Sequence, residues 1–343
     1  MVESPAPRPK DDRRLASLDI LRGLAALWVF WFHACSILIP GAGSGAKGYL
    51  AVDFFFMLSG YVMARTYELR FAAGLGPLRF MALRYRRLWP VMAIGISIGA
   101  PMAAIEIGDP AVYAPIAIAN LLLLPIFVGS ILYPLNAAAW SIMAELVANF
   151  LHALGLWRLS TRALLALAAL LAPALVWICI AWGNLSVGAG VRDVFAAIAI
   201  AVFGYVLGIA MSRRWQDRAP FAMPAWLVVA AIPLIAMTVE ASAITGWWFD
   251  LAFVFIAAPL LMAGGLAING GGKAAKWLGA ISFPLYAVNL PLLHWAQGLH
   301  FNPVVGVGLP LAVAAMIAWF TTPGLRTERP SPTASAARPA RVM

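Results

Sequence analysis

Charge is scarce in this sequence. Asp, Glu, Lys and Arg make up 11% of its 343 residues while hydrophobic residues make up 63%, against roughly a quarter charged in soluble domains. A chain so poor in charge cannot clothe a globule in water, which excludes the soluble globular class, and its apolar content excludes disorder. Two cysteines exclude a disulfide scaffold, and the 29 glycines follow no triplet period, which excludes collagen. The four histidines show no metal-ligand spacing, so no metal is expected. The net charge of +10 is spread in small groups between apolar runs. A nucleic-acid binder gathers its basic residues on one face, so no nucleic-acid partner is expected. What remains is an all-α polytopic membrane protein, with the lipid bilayer as its constant partner.

Apolar runs fall at 20–39, 49–64, 88–107, 111–128, 138–157, 163–183, 191–211, 224–242, 247–268, 278–297 and 302–321. Lysines and arginines prefer the cytoplasmic side of a membrane. If all eleven runs cross, Arg158, Arg162 and every later basic group fall outside; if 111–128 does not cross, 22 of the 24 lie inside and only Lys47 and Arg192 outside. The sequence therefore predicts about ten transmembrane helices with both termini cytoplasmic, in the plasma (inner) membrane. The run 111–128 is expected to form an outer re-entrant or interfacial segment, because Gly108, Pro110, Pro115, Pro125, Gly129 and Pro134 shorten any helix there. Residues 1–18 read as a cytoplasmic tail, 19–322 as the membrane domain and 323–343 as a disordered cytoplasmic tail. Arg22 sits in the first turn of the first run and no small-residue cleavage site follows it, so the run reads as a retained span.

An ionisable residue inside a bilayer costs roughly 2.5–3.5 kcal/mol on insertion scales, so each asks for a reason. Four stand out: Arg22, His33, Asp53 and Glu145. Eleven residues at 100° each bring Arg22 and His33 onto one helix face, separated by about 16 Å of rise. Counting inward from the outer ends of their runs places His33, Asp53 and Glu145 at nearly one depth. A histidine with a carboxylate at its own level is what a general base needs, with Glu145 or Asp53 expected to orient the ring. On the inner side, Arg84, Arg86 and Arg87 in RYRRLWP precede the third run. With Arg22 they form a candidate phosphate site, since guanidinium forks match phosphate oxygens. Trp140 with Ser141, and Tyr286 with Asn289 at i, i+3, are candidate contacts for an acceptor. Cys35 and Cys179 read as small packed residues.

Five stretches in this order, LDILRGLAALWVFWFHA (18–34), GYLAVDFFFMLSGYVMAR (48–65), RYRRLWP (84–90), WSIMAELVANF (140–150) and LGAISFPLYAVNLPLL (278–293), resemble the integral-membrane acyltransferases of the acyltransferase-3 family. The resemblance implies transfer of an acyl group, commonly acetyl, from cytoplasmic acyl-CoA to a hydroxyl of an extracytoplasmic glycan or small-molecule acceptor. It implies His33 as the catalytic histidine, Arg22 as the first arginine of the arginine–histidine motif, and Arg84 and Arg87 as the paired arginines. Glu145 matches the acidic residue of the tryptophan–serine motif, and Asp53 with Ser59 and Gly60 the second-helix motif. Asn289 stands where many members carry a histidine. Whether His33 acts as a base or as an acyl-carrying relay is open, and a homodimer is compatible with the sequence. The competing class is a transporter or flippase, for which ten spans and buried charges are also normal. It would call for broken helices in paired halves, whereas the polar residues here gather in the first half.

Overall fold

The computed structural model describes residues 16–39, 47–242, 246–268, 272–322 and 325, and among them the architecture is helical throughout. The expected tails at 1–18 and 323–343 fall almost wholly outside the described residues. The helices are α1 (Ala16–Leu38), α2 (Leu50–Ala72), α3 (Pro77–Ile107), α4 (Pro110–Leu121), α5 (Ala139–Leu154), α6 (Thr161–Trp182), α7 (Val194–Trp215), α8 (Ala225–Ser242), α9 (Trp247–Ala252), α10 (Ala258–Ala267), α11 (Gly272–Gly298) and α12 (Pro303–Thr321). A π turn at Phe253–Ala257 joins α9 to α10 in one continuous rod.

Each of the ten expected spans coincides with a helix or, at 247–268, with this rod. Among the described residues six helices are both long and apolar enough to cross a membrane, which makes this a multi-pass membrane protein. The long helices α2 and α11 are less apolar because they carry the polar residues described below. The rejected run is the 12-residue helix α4, about 18 Å long at 1.5 Å per residue and too short for a hydrocarbon core of about 30 Å. Asp109 caps it by accepting from the Ala111 amide at 2.8 Å, and Pro110 fills the first position, where no N–H is needed.

One expectation is corrected. The runs 49–64 and 88–107 set Arg84, Arg86 and Arg87 ahead of the third run, yet α2 continues to Ala72 and α3 starts at Pro77, leaving only a short turn around Gly74, whose φ of +95° suits glycine. Hydropathy marks where apolar residues stop. Arg, Glu and Leu remain good helix formers beyond that point. Arg84, Arg86 and Arg87 thus lie inside a helix rather than ahead of one.

Glycines set how closely these helices pack, as expected where lipid supplies no hydrophobic drive between them. A Cβ on Gly23 would lie 2.5 Å from Leu278 Cβ, and one on Gly279 2.6 Å from Asp19 Cγ, so α1 and α11 meet nearly backbone to backbone. Gly60 faces the Tyr205 carbonyl and Gly208 the Met57 carbonyl, which seats α2 on α7 in the same way. Gly95 of α3 abuts the Ala287 carbonyl of α11. That carbonyl lacks its helical donor because Pro291, four residues on, has no N–H. The Asn136 side chain supplies one at 2.8 Å. The result is a core of α1, α2, α3, α5 and α11 around two neighbouring voids.

Candidate active site

The larger void, about 320 Å³, is lined by Arg22 of α1, Ser59 of α2, Arg84 and Arg87 of α3, Ser141 and Glu145 of α5, and Tyr286 of α11. Arg84 and Arg87 are three residues apart and share a helix face. Arg86, about 200° from Arg84, is exposed and lies off the void. The Arg84 Nη2 donates to Glu145 Oε1 at 2.8 Å, and the same oxygen accepts from Ser59 Oγ at 2.7 Å. Arg84 is 4% exposed and its Nε has no hydrogen-bond partner. A buried guanidinium N–H without an acceptor is costly, and this one belongs to a residue lining a void of the right size to bring one. Arg22 is held by Asp19 one turn back at 3.1 Å and keeps 29% of its side chain exposed.

The smaller void, about 150 Å³, is lined by His33, Asp53, Trp140, Tyr49 and the loop residues Leu185–Val187. Val52 and Tyr286 line both voids and form the partition between them. The Tyr286 hydroxyl is fixed by Ser141 Oγ at 2.6 Å and by the Ala138 carbonyl at 3.1 Å. Arginines and histidine therefore line two neighbouring voids, with a tyrosine between.

The structure thus divides the residues singled out from the sequence. His33 and Asp53 share the smaller void. Glu145 does not join them, because Arg84 and Ser59 hold it in the arginine void. Neither carboxylate is the hydrogen-bond partner of the ring, contrary to expectation: His33 Nδ1 lies 2.6 Å from Asn289 Oδ1. Asn289 is fully buried, with its Nδ2 donating to the Leu285 and Tyr286 carbonyls at 2.9 and 2.8 Å, so no face of it is left for an acceptor. Counting along the runs did not reveal the place of Glu145, because spacing within one run carries no information on which side chains of other helices, here Arg84 and Ser59, will hold it. The contact with Asn289, 256 residues from His33 in sequence, leaves no local signal.

Two polar clusters escaped the sequence reading. Asp250 is wholly buried, pairs with Lys47, and accepts from the Tyr49 hydroxyl at 2.8 Å and the Leu185 amide at 2.9 Å. It ties the loop beneath the smaller void to α9, and a lone aspartate in the run 247–268 was its signal. At the opposite end, Arg213 of α7 grips Glu68 of α2 through Nε at 2.9 and 3.0 Å and Nη2 at 2.6 Å, with His152 Nε2 at 3.3 Å from the same carboxylate.

A family model described as an acyltransferase domain, of the acyltransferase-3 type, matches residues 15–323. The chain is 32% identical over 161 residues to "Protein 2 in picA locus" of Rhizobium radiobacter, an alignment covering 41% of this chain and 81% of that protein. No solved structure matches it. The ordered motifs, the helical bundle around the arginine and histidine voids, and a family match over nearly the whole length agree: the chain belongs to the acyltransferase-3 family and is a membrane acyltransferase.

Proposed function

We propose that the protein takes an acyl group, acetyl first among them, from acyl-CoA on the cytoplasmic side. It delivers the group to a hydroxyl of a cell-envelope or exported glycan on the outer side, as a ten-span protein of the inner membrane. The observation that carries this reading is the pair of voids meeting at Tyr286, one cationic and one holding a histidine. An acyl-CoA has the complementary form: an anionic phosphate end, a long thin arm and a reactive thioester at its tip. Arg22, Arg84 and Arg87 would take the phosphates, and the orphaned Arg84 Nε supports an oxygen-rich ligand. The rise of about 16 Å between Arg22 and His33 suits an extended arm. At its tip His33 would remove the acceptor proton. Asp53 and Trp140 would face the acceptor across the smaller void.

The test is alkali-labile acetate on envelope glycans from cells with the gene, without it, and with His33→Ala at equal expression. A positioned general base contributes roughly 10²–10⁴-fold, so the variant should match the gene-less cells. Acetate at the wild-type level in His33→Ala would contradict the reading.

A further inference from the structure

We propose that Asn289 is the positioning residue of the site: it fixes a proton on His33 Nδ1 and so makes Nε2 the nitrogen that takes and returns protons. The inference rests on the reading of His33 as the base, but its physical core does not. Both Nδ2 hydrogens of Asn289 are spent on the Leu285 and Tyr286 carbonyls. Turning the amide over would set its oxygen against two carbonyl oxygens, acceptor against acceptor. Oδ1 is therefore the atom aimed at His33, 2.6 Å away, and an amide oxygen only accepts. The hydrogen of that contact belongs to Nδ1, in the neutral ring and the protonated ring alike. Nε2 is the remaining nitrogen of a ring that lines the smaller void.

An amide does this work without adding a charge. A carboxylate in its place would add a buried negative charge, since Asn289 is fully buried. The anchor itself is rigid. Asn289 is fully buried in α11, and Gly23 and Gly279 bring α11 hard against the helix that carries His33. In the transfer step, the acceptor hydroxyl proton passes to Nε2 as its oxygen bonds to the acyl carbon and the carbon–sulfur bond breaks. The departing thiolate then takes that proton back from Nε2.

The tautomer is measured on the full-length protein in detergent, labelled with nitrogen-15 at histidine. The chain has four histidines, and the His33 signals are those missing from His33→Gln. The wild type should show His33 with its hydrogen on Nδ1. Asn289→Asp keeps an acceptor and should preserve that form; Asn289→Leu should give a mixture of both tautomers. A hydrogen on Nε2 in neutral wild-type His33, or an unchanged tautomer in Asn289→Leu, would overturn the proposal. In membranes given acetyl-CoA, Asn289→Leu should lower turnover by about a hundredfold or more with KM for acetyl-CoA unchanged; a rise in KM alone would also overturn it. The tautomer is read without substrate, so retained transfer by His33→Ala would overturn the base role and leave the Nδ1–H assignment to stand or fall on its own signal.

Discussion

Arg84 is the residue on which folding and chemistry compete. Its ion pair with Glu145 compensates for burying a guanidinium, while its unpaired Nε holds binding capacity in reserve. Replacing it with Met leaves Glu145 with Ser59 as its remaining side-chain partner. Thermal unfolding in detergent should then show a loss of about 1.5–3 kcal/mol, the range for a hydrogen bond to a charged group. Replacing Arg84 and Glu145 together with apolar residues should restore most of that stability without restoring acetyl transfer; recovery of transfer would show that the arginine is structural. Arg22, His33, Asp53 and Glu145 were legible in the sequence because ionisable residues are conspicuous in apolar runs, and Arg84 and Arg87 because they cluster just ahead of one. Their pairing was not. Arg84 reaches Glu145 from a helix that hydropathy had begun too late, and Asn289, being uncharged, gave no sign that it anchors a ring on another helix.

Helix against helix, the bundle depends on positions where no side chain fits. Gly208→Leu would drive a branched side chain into the backbone of α2. Overpacking costs about 1–3 kcal/mol where side chains can yield, and here the obstacle is a main-chain carbonyl, so the variant should lose the folded band in size-exclusion chromatography. Gly308→Ala, in α12 with open space where its Cβ would stand, should stay folded, and equal behaviour of the two would contradict this packing account. The charged end of α2 is pinned differently. Burial alone would raise the Glu68 carboxyl, but the His152 hydrogen bond and the Arg213 guanidinium more than reverse it and hold it below the usual range. A carboxyl depressed by folding stabilises fully above the ordinary glutamate value of about 4.3 and loses that contribution as pH falls through its lower folded value. Glu68→Gln should therefore flatten the fall in melting temperature on acidification, and an identical acid slope would remove Glu68 from the explanation.

For the whole molecule, the scarcity of charge that excludes a soluble protein also sets its expected orientation. With ten crossings, Arg158 lies inside and Arg192 outside. Both are exposed, and Cys35 and Cys179 are buried. In intact cells a membrane-impermeant maleimide should label Arg192→Cys and spare Arg158→Cys; the reverse pattern would invert the topology and with it the donor side. That orientation puts the arginine void toward the cytoplasm and the histidine void toward the outer face, with Tyr286 between. The most direct measurement is acetyl transfer in sealed membrane vesicles supplied with radiolabelled acetyl-CoA on the Arg22–Arg87 side only. Label should reach the acceptor on the opposite face with the wild type and fall by about 10²-fold or more with His33→Ala, and equal labelling by the two proteins would contradict the account.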